Sequence, residues 1–364
     1  MVSEDFLPIK GYDHIEFYVG NAKQAAHFYD KTFGFKPVAK LGLETGCRDR
    51  ASYIMQQGKV RFVFTTAYTP DHEAARHCAL HGDGVKAIAL EVADVDRAVK
   101  EVKDRGATIL KPPTALEDEN GTLITAEIKY AGDTVFRFVQ RRNYRGAFAP
   151  GYEPIEAIGS DPVGFAAIDH IVTNVGLGEM TYWAQWYERV MGFSQLTHFT
   201  DDDISTEYSA LMSKVMENGS GKCKFPINEP AEGKKKSQIE EYLDYYYGPG
   251  VQHIAVNTAN IYDTVTELRR RDVDFLRIPD TYYEYMKRRI GEVGEDWDRL
   301  QKLGILIDQD DDGYLLQIFT SPVQDRPTLF FEVIQRHGSR GFGLGNFKAL
   351  FVSIEEEQAK RGNL

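Results

Sequence analysis

The second half of this sequence holds three residues whose types and separation could bind a reactive metal: His170 in AIDHIV, His253 in VQHIAV and Glu332 in LFFEVI. Two imidazoles and one carboxylate on a single face leave adjacent coordination positions open. That suits an Fe(II) ion that must accept a substrate and O2 together. Zinc favours a closed four-ligand site or one open position, whereas manganese would accept the same ligands. Glu332 stands in an apolar run, where an unpaired carboxylate is costly to bury and a cation removes the cost. Each residue alone also has an ordinary explanation. A strand histidine is more often a hydrogen-bonded core residue, and Glu332 could pair with Arg336.

An internal repeat favours the metal. GYDHIEFYVGNAKQAAHFYDKTFGFK, from residue 11, returns as AIDHIVTNVGLGEMTYWAQWYERVMGFS from 167. GDGVKAIALEVADVDRAVKEVKDRGA, from 82, returns as GPGVQHIAVNTANIYDTVTELRRRDV from 248, and TVFRFVQRR as LFFEVIQRH. The alignment sets His14 against His170, Ala87 against His253 and Arg137 against Glu332, with offsets growing from 156 to 166 to 195 residues. One complete triad and one degenerate copy are therefore expected, with His14 structural.

These residues must be carried by strands. Each half reads as paired β-α-β-β-β modules: strands of apolar, β-branched or aromatic residues, and helices such as the one with Val95, Ala98, Val99 and Val102 on one face and Gly106 at its end. The expected class is α+β, each half a half-open barrel with helices outside and a concave face able to hold a metal. The Gly- and Pro-rich stretch 142–165 is the expected linker. It divides the chain into 1–150, an N-terminal domain for structure or assembly, and 151–364, the catalytic domain.

Composition sets outer limits. The 364 residues are 42% hydrophobic, enough for two cores, and a net charge of −12 repels nucleic acid and anionic membranes. Cys47, Cys78 and Cys223 form no CxxC pair, which argues against a disulfide framework. No signal-like N-terminus and no membrane-length apolar run is evident, so a soluble, cytoplasmic protein is expected. No GxGxxG or P-loop points to a nucleotide cofactor. His72, His77 and His81, like Asp310, Asp311 and Asp312, read as solvated surface, the latter as a turn.

Five blocks resemble the vicinal oxygen chelate fold and, within it, the 4-hydroxyphenylpyruvate dioxygenase family: FPINEP, KSQIEEYL, GPGVQHIAV, LLQIFTSPVQDRPTLFFEVIQR and GFGLGNFKALF. The resemblance spans essentially the whole chain. It implies two tandem vicinal oxygen chelate domains, Fe(II) at His170, His253 and Glu332, and conversion of 4-hydroxyphenylpyruvate and O2 to homogentisate and CO2 in tyrosine catabolism. It further implies Ser213, Asn228, Gln238, Gln252 and Gln317 at the polar end of the pocket. Pro226, Phe319, Phe330, Phe342, Asn346 and Phe347 would contact the substrate. The stretch Gly341–Glu357 would close over the pocket as a gating helix. A homo-oligomer, dimer or tetramer, is expected. The related 4-hydroxymandelate synthases share the fold, substrate and triad, and are the main competing reading. Extradiol ring-cleaving enzymes use the same triad but need an acid–base histidine, for which only His198 and His337 stand in the second half.

Overall fold

The computed structural model describes residues 5–156, 159–200, 210–231 and 233–362, without the side chains of Leu344, Phe347, Lys348, Leu350 and Phe351. The first sheet contains β1 (Ile9–Tyr18), β2 (Lys36–Leu41), β3 (Arg50–Gln57), β4 (Val60–Ala67), β5 (Gly84–Val92), β6 (Ile109–Asp118), β7 (Gly121–Lys129), β8 (Val135–Tyr144) and the two-residue β9 (Glu153–Pro154). The second contains β10 (Phe165–Asn174), β11 (Ser194–Phe199), β12 (Ala210–Glu217), β13 (Lys224–Ala231), β14 (Gly250–Thr258), β15 (Leu306–Asp310), β16 (Gly313–Phe319) and β17 (Phe330–His337). Among the described residues the strand orders are β6-β7-β8-β5-β1-β4-β3-β2-β9 and β15-β16-β17-β14-β10-β13-β12-β11. Apart from β9 they are the same path. Each sheet curls into a half-barrel, in keeping with the expected α+β class.

Register makes the repeat a residue-level identity. His14 lies opposite Ala89, which neighbours Arg137. His170 lies opposite Ala255, which neighbours Glu332. The same logic equates Phe64 with Ile227, since these pair with Phe17 and Thr173 in the parallel β1–β4 and β10–β13 ladders.

Local chemistry repeats too. Helix Val95–Asp104 starts at Asp94, whose side chain accepts from Arg97 N–H, and buries the four residues its spacing predicts. Its counterpart Ile261–Arg270 starts at Asn260, which accepts from Asp263 N–H, and buries Ile261, Thr264, Val265 and Leu268. Much of the aromatic content packs the seam between the halves. Phe62 meets Phe331 at 5.8 Å, and Phe136 stacks at 9° on Trp186. One apolar cluster runs through both halves.

The histidine cluster differs from expectation. His77 and His81 are buried rather than solvated, because helix Glu73–His81 packs near helix Gln238–Tyr246 of the other half. His81 stacks on Tyr246 at 4.4 Å and its Nε2 lies 2.9 Å from Asp133, while neither ring nitrogen of His77 has a partner. That contact joins positions 165 residues apart, which local polarity cannot reveal. The acidic triplet does form a turn: Asp310 accepts from the N–H groups of Asp312 and Gly313. No described helix is long and apolar enough to cross a membrane.

Candidate metal centre

His170 of β10, His253 of β14 and Glu332 of β17 converge as buried residues, with one ligand atom from each lying within 4.8 Å of the others. They are the sole such group of three among the described residues. Both Nε2 atoms approach the same carboxylate oxygen, His170 at 3.2 Å and His253 at 3.4 Å. The far side of each ring is fixed. His170 Nδ1 lies 2.8 Å from Asp169 Oδ1 and His253 Nδ1 lies 2.9 Å from Gln252 Oε1. Both partners are acceptors, so the Nδ1 atoms carry the protons and the Nε2 lone pairs face inward for a cation.

Electrostatics agree. Burial alone would raise the Glu332 pKa, but the two imidazoles outweigh it and hold the carboxyl at about 2. The carboxylate is therefore ionised, held so by imidazole protons on the Nε2 side, and a divalent cation bound there would take the place of those protons. Burial opposes protonation of both histidines; it prevails at His253, while Glu332 and Asp169 reverse it at His170.

Asp169 is itself gripped by Arg336, whose Nε and Nη2 each donate to it at 2.8 Å. Arg336 also donates to Gly341 O at 2.7 Å, tying the metal strand to the chain that enters the last helix. The simple alternative of a Glu332–Arg336 ion pair is thereby replaced: Arg336 serves Asp169.

Aromatic rings wall the triad. Phe330 stacks on His253 at 4.8 Å and 20°, Phe319 meets the same ring edge-on at 6.0 Å, and Phe342 lies 5.0 Å from His170. The repeat assigns faces to the polar candidates. Ser213 and Asn228 pair across β12 and β13 and correspond to Ser52 and Thr65; Gln317 corresponds to Thr125. Thr65 and Thr125 line the concave pocket of the first half with His14. Pro226 sits two residues before Asn228 on the same strand. Gln238 and Gln252 border one narrow cavity with Phe330, although the Gln252 oxygen is committed to His253.

Two candidates fall otherwise. Asn346 is fully buried and its Oδ1 accepts from the Tyr282 hydroxyl at 2.6 Å, a tie that positions the helix Leu344–Lys360, while its Nδ2 has no protein partner. Phe347 belongs to that helix, but its side chain lies outside the described residues. One residue was missed. Asn174, four positions after His170, is buried with neither amide atom hydrogen-bonded, and it corresponds to Tyr18 of the first pocket. An unpartnered buried amide on this face is a candidate ligand contact; only the repeat could have flagged it. His198 is exposed and His337 stacks on Tyr314, so neither joins the triad.

Among the described residues, the first half contains the same scaffold without a metal-binding set. Asp13 meets His14 Nδ1 at 2.6 Å, Arg141 grips Asp13 as Arg336 grips Asp169, and Phe148 lies 5.1 Å from His14. Arg137 Nη1, however, lies 3.2 Å from His14 Nε2. Its Nη2 is 2.7 Å from both Glu16 and Glu127.

A profile of the Glyoxalase/Bleomycin resistance protein/Dioxygenase superfamily matches residues 11–127 and 167–318, one segment in each half. The tandem half-barrels and the buried His-His-Glu triad thus define a metal-binding protein of that superfamily. Within it, the chain belongs to the 4-hydroxyphenylpyruvate dioxygenase family. It is 50% identical to 4-hydroxyphenylpyruvate dioxygenase of Danio rerio, covering 97% of this chain and 92% of that one. It is 48% identical to the Dictyostelium discoideum enzyme, covering 98% and 100%. A solved triple mutant of 4-hydroxymandelate synthase from Streptomyces coelicolor superposes with a TM-score of 0.87 at 30% identity, covering 97% of this chain and all of that one.

Proposed function

We propose that this protein converts 4-hydroxyphenylpyruvate and O2 into homogentisate and CO2, with Fe(II) held by His170, His253 and Glu332. The carrying observation is the buried triad, whose two Nε2 atoms and ionised carboxylate converge while Asp169 and Gln252 fix the rings. Bound iron would supply the O2 chemistry, which no amino-acid side chain provides. The chain's residues then bind, orient and exclude. Three free positions on one face suit the keto and carboxylate oxygens of the substrate beside O2. Phe319, Phe330 and Phe342 form apolar walls for the ring. Ser213, Asn228, Gln238 and Gln317, with Asn174, supply neutral polar contacts that add no charge beside the metal. Gln252 acts through His253, as an orienting residue. Helix Leu344–Lys360, with Phe347 and Asn346, closes the pocket against water.

We place catalysis in 151–364 and assign 1–150 to structure and assembly, in a cytoplasmic homo-oligomer, dimer or tetramer. The mandelate synthase alternative has the weaker support, since the hydroxyphenylpyruvate dioxygenases reach 50% identity against 30%. Metal analysis with chromatographic identification of the product from 4-hydroxyphenylpyruvate tests the assignment. Hydroxymandelate as the main product would overturn it.

A further inference from the structure

A second cavity lies between the halves, behind the metal strands, and its volume is about 680 Å³. Two equivalent hairpins frame it. Gly58-Lys59 joins β3 to β4, which opens with Val60-Arg61, and the turn from β12 to β13 ends in Gly221-Lys222-Cys223 before Lys224 opens β13. The equation of Phe64 with Ile227 places Lys59 against Lys222 and Arg61 against Lys224. The first hairpin is seated on the other half: a Cβ at Gly58 would fall 2.6 Å from Phe165 O, and Lys59 N–H donates to Ala166 O at 2.7 Å.

The lining is cationic in a protein of net charge −12. Six lysine and arginine side chains face three carboxylates, those of Asp13, Glu91 and Asp169. All three carboxylates are already engaged. Glu91 pairs with Lys10 at 2.8 Å, Asp13 with Arg141 and His14, and Asp169 with Arg336 and His170. Arg61 reaches only the Asp13 oxygen, at 3.8 Å, so two guanidiniums share one carboxylate. Positive charge is thus left over on both sides of a roomy polar cleft. A monocarboxylate would answer one of these cations. Several separate point charges suit the distributed oxygens of a phosphate chain.

We propose that this cleft is a binding site for a small polyphosphorylated anion, held by Lys59 and Arg61 from one half and Lys222 and Lys224 from the other.

The probe is pyrene-1,3,6,8-tetrasulfonate, a fluorescent tetra-anion that competes weakly for iron, titrated by anisotropy into the iron-loaded protein at low salt. Saturable binding is expected, displaced by tripolyphosphate and by ATP but not by acetate, and weakened by added salt. The exposed double variant Lys59→Gln/Lys222→Gln should weaken it at least about tenfold, the ratio produced by about 1.4 kcal/mol of lost interaction. Lys100→Gln, an exposed lysine on another face, should leave it unchanged. Stronger displacement by ATP than by tripolyphosphate would assign a nucleotide; equal displacement would assign the phosphate chain alone. No saturable binding, or equal affinity in the double variant, would overturn the proposal.

Discussion

Arg137 Nη1 points at His14 Nε2 from 3.2 Å, so in the first half a guanidinium addresses the lone pair that a metal would need. Glu16 and Glu127 balance that charge from 2.7 Å, and burial is overcome so that Glu16 stays ionised with its pKa near 2. The degenerate site is a closed ion network. Changing His170, His253 or Glu332 to Ala should bring bound metal to background while the protein stays folded. His14→Ala should keep the full metal content. Metal analysis of the purified variants decides it, and loss of metal from the His14 variant would sink the repeat argument.

Asp169 holds His170 through Nδ1 and is held in turn by Arg336, so its charge orients a ligand and neutralises a buried guanidinium. Asp169→Asn keeps the shape and removes the charge. Metal affinity should fall about 10- to 100-fold, as is usual when the partner of a ligating histidine is altered. Stability should fall by roughly 1–3 kcal/mol from the weakened buried contact. Competition with a metallochromic chelator, alongside denaturant unfolding, would measure both. Unchanged affinity would reduce the pair to packing.

Much of this was legible because the chain repeats. His14 and His170 share the words Asp-His-Ile, and aligning the halves left Ala87 and Arg137 as visible failures of one site. Asp169 was in view in the same words, yet its bond to Arg336 spans 167 residues and only the β10–β14–β17 packing reveals it. Asn174 hid because a buried amide looks like any strand-end asparagine until its lack of partners is seen. His77 and His81 depart from expectation for the opposite reason. A polar, histidine-rich helix looks solvated until the other half is laid on it. The tie from the Tyr282 hydroxyl to Asn346 Oδ1, across 64 residues, was equally hidden from local sequence.

His77 gives a pH signature. Burial, then the neighbouring His81 and Lys86, push its pKa down to about 3, with Asp133 opposing. The unfolded chain takes up a proton near pH 6.5 that the folded protein refuses. The folded state therefore has full stability above that pH and loses it as pH falls toward 3. Between pH 6.5 and 5 this one group should cost at most about 2 kcal/mol. In His77→Leu the unfolding free energy should depend less steeply on pH across that window, by up to one proton. Parallel slopes in denaturant titrations of variant and parent would refute the assignment.

The tail should be cut in two places to separate its roles. Phe342 packs on His170, and Gly341 O receives Arg336, so both belong to the support of the metal site. Truncation from Leu344 removes the helix alone and should leave iron bound while O2 consumption outruns product formation. Truncation from Gly341 should weaken iron binding as well. Oxygen-electrode and product measurements on the same samples give the coupling ratio, and wild-type coupling in the shorter deletion would make the helix mere packing.

Phe319 tests the orientation of the substrate ring. It is 4% exposed, meets His253 edge-on at 6.0 Å and lies 6.2 Å from Phe330, opposite Glu332 in the β16–β17 ladder. Its counterpart in the first half is Glu127, the ion partner of Arg137, so the same position serves a salt bridge there and an apolar wall here. The resemblance to the dioxygenases implies that Phe319 contacts the substrate ring. A flat ring would press the substrate's aromatic carbons toward the reacting centre. Ile in its place removes wall atoms from a packed pocket, and the substrate gains room to present its benzylic carbon instead. A bias of about 1.4 kcal/mol changes a product ratio tenfold, so one side chain is sufficient. The native protein should give homogentisate, and Phe319→Ile should give measurable hydroxymandelate, an isomer of the same mass that chromatography separates. An unchanged product from a folded, metal-loaded Phe319→Ile protein would remove this residue from control of the reaction.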